Sequence, residues 1–294
     1  MTRLLLGLPA PAKINLFLHV IGRRPDGYHE LQTAFALLDL ADLLDFESTA
    51  DGTIERDGDV IGDAKLDLCV RAAQALQAAS GAAQGVKIRV EKRVPAGSGL
   101  GGGSSDAATT LLALNRLWQL DWPRARLAEI GGRLGADVPF FLQRTAAFGE
   151  GTGERLTPVE LPPLSVLLVH PNVHVSTVEV FNAPELTRDT KPTKISSFSA
   201  AASEIARIPF GINDLEAVVR RRVAAVDAAV GLVEGVVGQC AGYARMTGSG
   251  SAVFALFASA QEAAQAAERI GTQAPSDWSV RVAPTLGEHP LAAW

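Results

Sequence analysis

The chain has 294 residues, 47% of them hydrophobic and 20% charged, with a formal net charge of −5. That size suits two domains, and the balance excludes a disordered chain or a global basic field for nucleic acid or an anionic membrane; an anionic ligand would need a local site. Two cysteines, Cys69 and Cys240, read as free thiols in a reducing compartment. The opening apolar run is broken by Gly7 and Pro9, and no stretch approaches spanning length, so a cytoplasmic protein is expected.

The first element is KINLFLHV, where Ile14, Leu16, Leu18 and Val20 alternate with Lys13, Asn15, Phe17 and His19: a strand with one polar face. Pro25-Asp26-Gly27 supplies a turn, and AFALLDLADLLDFE continues as a second strand-rich segment. LDLCVRAAQALQAASG reads as a helix ending near Gly81, and VKIRVEK as a strand with one wet face. A helix is expected from Asp106 to Trp118, with Ala107, Leu111, Leu114 and Trp118 on one stripe, then another in PRARLAEIGGRLG. LPPLSVLLVHP holds a strand, and the domain change is placed at residue 156. Residues 183–206, rich in Ser, Thr, Ala and Pro, read as a mobile connection. NDLEAVVRRRVAAVDAAVG reads as one amphipathic helix capped by Asn213 or Asp214, with Arg220, Arg221 and Arg222 a solvated face. MTGSGSAVFALF is a glycine turn into a buried strand, and SAQEAAQAAERIG a helix. The class is α+β.

Between the VKIRVEK strand and the Asp106 helix lies PAGSGLGGGSSD, where five of the seven residues from Gly97 to Gly103 are glycine. Glycine loses more backbone entropy on folding than any other residue, so the cluster serves either a tight turn or a close backbone approach. A helix N-terminus carries unpaired N–H groups and partial positive charge, and a side-chain-poor approach lets several amides converge on one phosphate. The alternative is a plain turn with Ser105 or Asp106 as N-cap. Gly97 and Gly102 have P-loop spacing, but Gly103 stands where that motif needs lysine. Gly97, Gly99 and Gly102 match a dinucleotide fingerprint, yet NRLWQLDWPRARL follows instead of a second strand ending in an acid.

Three stretches in order, PAKINLFLHVIGRRPDGYHEL, PAGSGLGGGSSDAAT and MTGSGSAVFALF, resemble the GHMP kinases, named for galactose, homoserine, mevalonate and phosphomevalonate. GRRPDGYHEL, LGADVPFFL and GEGTGERL are similar to the branch of that family acting on a cytidine-diphosphate-linked methylerythritol. The resemblance implies an N-terminal domain, 1–155, like ribosomal protein S5 domain 2, and a C-terminal ferredoxin-like α/β sandwich, 156–294. It implies a kinase using ATP and Mg²⁺ on a small molecule with a cytidine diphosphate group, with neither nucleic acid nor membrane as partner. ATP would lie on Pro95, Ala96, Gly97, Ser98, Gly99, Leu100, Gly101, Gly102, Gly103, Ser104 and Ser105; magnesium would come with ATP and touch Ser105. Ser98 stands where relatives often carry glycine or alanine.

The same resemblance makes Lys13 the cation beside the transferred phosphoryl group and Asp137 the base that takes the acceptor's proton. On their own, Lys13 would be a snorkelling lysine and Asp137 an N-cap or turn residue. Asn15, on the face of Lys13, would orient the substrate. Tyr28 would stack on cytosine, His29 bond its edge, and Phe181 cover the other side with Thr177 nearby; Phe181 alone would be ordinary packing. Lys92 would meet a substrate phosphate, or otherwise be a solvated strand lysine. Gly248 and Gly250 would floor the site. The GYHEL segment argues against a homoserine or mevalonate-type substrate, which has no base to stack. Retention of both Lys13 and Asp137 argues against a non-catalytic nucleotide-binding regulator.

Overall fold

The structure, a computed structural model, describes residues 3–60, 66–238 and 243–294; Cys240 lies outside these. Two long strands, β1 (Leu4–Arg23) and β2 (His29–Thr49), pair antiparallel and form the spine of the first half. Their register shifts four times, once between Asn15 and Phe17, which bends the ribbon beside Lys13. β2 also pairs β4 (Gly85–Glu91) and β5 (Ala147–Gly151); β3 (Ile54–Gly58) runs parallel to β4, and β6 (Arg155–Pro158) pairs β5. Four helices cover this sheet: α1 (Leu68–Ser80), α2 (Gly102–Leu117), α3 (Arg124–Leu134) and α4 (Val138–Phe141). Leu37, Leu44, Phe46 and Ile88 of the strands bury against Leu111, Leu114, Phe140 and Phe141.

The second half is an antiparallel sheet in the order β10–β7–β9–β8: β7 (Ser165–His170), β8 (Ala244–Met246), β9 (Val253–Phe257) and β10 (Ser279–Leu286). Its helices are α5 (Thr177–Phe181), α6 (Ile195–Ala201), α7 (Glu216–Arg222), α8 (Ala224–Val237) and α9 (Ala260–Gly271). Leu167, Val169, Val219, Val230, Val233 and Phe257 form a second core. Thr285 and Leu286 pair with Leu38 and Leu37, so β10 joins the two sheets. A third cluster sits at this junction, with Ile14, Leu16, Phe17, Phe148, Val166, Phe198 and Phe254. The α+β class is as expected.

Several local expectations differ. β1 has no wet face from Ala10 to Val20, where every residue is buried, because the glycine loop, the 247–250 turn, α6 and the 210–212 segment cover what the alternation marked as polar. α2 begins at Gly102, four residues early, with Gly101 as a left-handed N-cap at φ 75°. The serine- and alanine-rich 183–206 segment is no free connection, for α6 drives Phe198 fully inside against Phe17, Phe148 and Phe210. The single helix from Asn213 is two, α7 and α8, divided at Val223, whose backbone is extended (φ −128°, ψ 92°). The arginine run is a solvated face as expected, with surface pairs added: Arg220 meets Glu216, Asp227 and Glu234, and Arg222 grips Glu185 with two bonds. The chain also returns at its end, with Leu291 in the first core and Arg124 bonded to the Trp294 carbonyl at 3.2 Å.

Candidate functional site

A cleft of about 680 Å³ runs between the two halves, within the range of small-molecule sites. Its walls include Pro95, Ala96, Gly97, Ser98, Gly99, Gly101, Gly102, Gly103 and Ser104, together with Lys13, Asn15, Lys92, Asp137, Thr177, Phe181, Gly248 and Gly250. Gly97, Gly99 and Gly101 all sit at positive φ (63°, 79° and 75°), with one residue between each. A Cβ on Gly99 would lie 2.2 Å from the Thr247 carbonyl oxygen; one on Gly101 would lie 2.8 Å from Phe141 Cζ and 3.1 Å from Lys13 Cγ. Glycine is required first by the protein's own packing, because the loop is pressed between the 247–250 turn and the Lys13 strand. The Leu100 carbonyl accepts from the Lys13 amide, and the Ser98 carbonyl from the Ala252 amide. Among the described residues, the amides of Gly97, Gly99, Gly101, Gly102, Gly103 and Ser104 find no acceptor; those of Leu100 and Ser105 are bonded, to Ser98 Oγ and to Gly101 O. Unpaired amides at a helix start form an anion cradle.

Lys13 is 2% exposed. Its Nζ lies 2.5 Å from Asn15 Oδ1 and 3.4 Å from Asp137 Oδ2. Asp137 precedes α4 but makes no capping bond; its side chain stays 34% exposed and turns to the lysine. The N-cap role fails and the paired role stands. Asn15 is fixed in turn: its Nδ2 donates to Thr33 Oγ1 at 2.9 Å, and its amide donates to Thr247 Oγ1 at 2.9 Å. Behind Thr247 stands Asn213, whose Nδ2 donates to the carbonyls of Met246 (2.7 Å) and Gly248 (2.8 Å). Asn213 caps the turn that enters α7, its Oδ1 accepting the Leu215 amide at 3.0 Å, while Asp214 accepts from the Val20 amide. Thr33 and Thr247 were not singled out in the sequence, and Asn213 only as a helix cap. Only Thr247 and Asn213 had a signal, as neighbours of the glycine turn and of a helix start.

At the other end of the cleft Thr177 and Phe181 share one face of α5, and Thr177 Oγ1 lies 2.6 Å from Ser249 Oγ. Phe181 rests on His29, ring centroids 5.1 Å apart at 30°. His29 is buried, and burial, aided by Arg188 and Arg23, lowers its pKa. Tyr28 is 67% exposed at the tip of its turn. Neither Tyr28 nor His29 belongs to the cleft wall as it stands, while Phe181 does. Arg188, absent from the sequence reading, donates to His29 Nε2 at 3.0 Å.

Two expectations are corrected here. Lys92 is not free for a substrate phosphate: its ammonium, 14% exposed, bonds the carboxylates of Asp42 and Asp106, the latter at 2.7 Å. Burial works against its charge, but those two acids outweigh burial and raise its pKa. Asp42 also accepts the amides of Arg93 (2.5 Å) and Val94 (2.8 Å), so this cluster braces the entry to the glycine loop. Burial, with Asp42 adding to it against Lys92, pushes Asp106 up to about 7. Ser105 is the second correction: it is fully buried, off the cleft wall, and its Oγ has no partner. Its side chain packs inward because α2 starts at Gly102 and turns that position to the core.

Among the described residues no three His, Cys, Asp or Glu side chains converge on a metal. Ser104 and Asp106 line the cleft on α2, but Asp106 Oδ2 is held by Lys92 and Oδ1 is sealed from solvent, which leaves Ser104 as the open oxygen. That sparse set fits an ion taking most of its ligands from phosphate and water, as magnesium does.

Models of known families match twice: the GHMP kinases N terminal domain over residues 67–144 and the GHMP kinases C terminal domain over 193–276. A 4-diphosphocytidyl-2-C-methyl-D-erythritol kinase of Ralstonia nicotianae is 52% identical over 97% of this chain and 95% of its own. A solved 4-(cytidine 5'-diphospho)-2C-methyl-D-erythritol kinase superposes with TM-score 0.78 at 36% identity, covering 98% of this chain and 99% of its own. The homoserine kinase of Cytophaga hutchinsonii superposes with TM-score 0.67 at 16% identity, over 98% of this chain and 95% of its own, which shows a shared fold alone.

Proposed function

The chain belongs to the GHMP kinases, and on that premise we propose that it transfers the γ-phosphoryl group of ATP to the 2-hydroxyl of 4-diphosphocytidyl-2-C-methyl-D-erythritol. The products are the 2-phosphate and ADP, a step of the methylerythritol phosphate route to isoprenoid precursors. One observation carries the reading: the Lys13–Asp137 pair, 3.4 Å apart, shares a cleft wall with the unpaired amides of the glycine loop.

The chemistry follows from that placement. The amides of Gly101 to Ser104 and the α2 dipole bind triphosphate oxygens. Asp137, half-exposed, accepts the proton of the 2-hydroxyl as the oxygen attacks phosphorus. Lys13, buried and held by Asn15, stabilises charge on the transferred group. Transfer is direct, without a phospho-enzyme. Magnesium bound to ATP would neutralise phosphate charge, and Ser104 is the side-chain oxygen offered to it. His29, Phe181 and Thr177 serve the cytidine end, with Tyr28 free to close over the base from its exposed turn. The division near residue 156 is part of the same reading; the two separate cores support it, although the last strand and the C-terminus reach back to the first.

A coupled ADP-release assay tests this. The expected result is turnover with the cytidyl substrate and background rates with homoserine and mevalonate. No turnover with the cytidyl substrate would leave a nucleotide-binding module.

A further inference from the structure

We propose that Arg188 is a positioning residue that locks His29 as the neutral tautomer with its proton on Nδ1, so that the ring presents one fixed donor to the pyrimidine edge. This deepens the reading above and rests on it. Arg188 lies in the segment after α5, and its guanidinium works as a four-way bracket. Nη1 donates to the Leu186 carbonyl at 3.1 Å, and Nη2 to the carbonyls of Phe181 (3.0 Å) and Ala183 (2.7 Å). Nε donates to His29 Nε2 at 3.0 Å. A guanidinium has donors only and does not lose its proton, so the nitrogen facing it must carry a lone pair. Once Nε2 accepts, a neutral ring holds its hydrogen on Nδ1, and a protonated ring would set two N–H groups against each other.

Nδ1 has no hydrogen-bond partner among the described residues and is not one of the unpartnered atoms sealed from solvent. The charged groups facing the imidazole are Arg188 and Arg23, both cations, while Glu30, next along β2, is taken by Arg155 at 2.8 Å. Among the described residues no carboxylate faces the ring to favour its charged form. The same guanidinium fixes the Phe181 carbonyl, and the Phe181 ring lies on the His29 ring, so one side chain sets both members of the base site. Cytosine offers O2 and N3 as acceptors on its pairing edge; a fixed N–H donor suits these, and an imidazole free to switch tautomers would not.

The test reads the ring directly and then the kinetics. Long-range ¹⁵N NMR of the whole wild-type protein should show His29 with Nδ1 protonated and Nε2 bare, unchanged from about pH 7.5 to about pH 5.5. In Arg188→Met the ring should titrate nearer the ordinary histidine range. KM for the cytidyl substrate should then rise about tenfold between about pH 8 and about pH 6, against less than about twofold in wild type, the size expected for one lost or inverted hydrogen bond. kcat and the KM for ATP should stay within about twofold, and Arg188→Lys, which keeps a donor, should restore much of the pH-independence. A wild-type ring with the proton on Nε2, or a Met variant with unchanged titration and flat KM, overturns the proposal. Should the Met variant not fold, the wild-type spectrum alone decides. Wild-type turnover is the control: its absence with the cytidyl substrate sinks the functional reading, whereas turnover with a pH-flat Met variant sinks only the arginine lock.

Discussion

The two ends of the cleft are made of different material. The phosphate end is backbone: glycines at positive φ, amides without acceptors, and a helix that starts inside the loop. The cytidine end is side chains: Phe181 on His29, with Arg188 fastening both. A backbone cradle recognises what every nucleotide shares, and its precision comes from excluding side chains. A side-chain site recognises one base, and its precision comes from fixing protons and ring planes. Lys13 and Asp137 stand between, anchored mainly to the backbone end through Leu100, Asn15 and Thr247. Damage at the phosphate end should therefore cost chemistry and folding together, and damage at the cytidine end should cost affinity for one substrate.

The largest effect is expected for Asp137→Asn, which keeps the shape and removes the base. kcat should fall about a thousandfold in the ADP-release assay while calorimetric ATP affinity is kept, the scale of a lost general base. Next comes Gly99→Ala: a methyl 2.2 Å from Thr247 O, at φ 79°, should cost about 2 kcal/mol in urea unfolding and weaken ATP. A free-folding alanine there would break the contrast between the two ends. Asn213→Asp keeps the size but replaces the donor with a carboxylate oxygen facing the Met246 and Gly248 carbonyls. Turnover should drop about tenfold through displacement of Thr247 and Asn15, with a smaller change in KM for the cytidyl substrate.

Asp106 gives a pH signature. Its folded pKa of about 7 lies above the ordinary 3.8, so the folded state holds the extra proton between them. Its stability contribution is present below the unfolded value and is lost as pH rises through about 7. Wild type should thus lose stability between about pH 5 and about pH 8 through this group, and Asp106→Asn should flatten that fall by about 2 to 3 kcal/mol in denaturation at the two pH values. The smallest effect belongs to Ser105→Ala. Its hydroxyl is buried without a partner, so stability should change by less than about 0.5 kcal/mol and turnover by less than about twofold. A large loss of turnover would restore the phosphate or magnesium role.

The difference between the ends also explains what could be read from sequence. A backbone site announces itself by missing side chains, so the loop from Gly97 to Gly103 stood out at once. Residue-level periodicity placed β2, α1, β4, α3 and β9 close to where they fold. The Lys13–Asp137 meeting came from family resemblance, since 124 residues separate the two and no local pattern links them. Arg188, Asn213, Asp42 and Asp106 act through partners 14 to 159 residues away, and such pairing leaves no mark on local composition. Lys92 misled because an alternating strand lysine looks solvated whether or not two acids from other elements close over it. Phe198 misled likewise, one aromatic in a polar run that happens to complete a junction core.

The most direct measurement is a crystal structure with a non-hydrolysable ATP analogue and the cytidyl substrate bound together. The γ-phosphate should rest on the amides of Gly101 to Ser104, with the 2-hydroxyl within hydrogen-bond reach of Asp137 and Lys13 beside the reacting oxygens. A triphosphate lying elsewhere, or a 2-hydroxyl remote from Asp137, would contradict it.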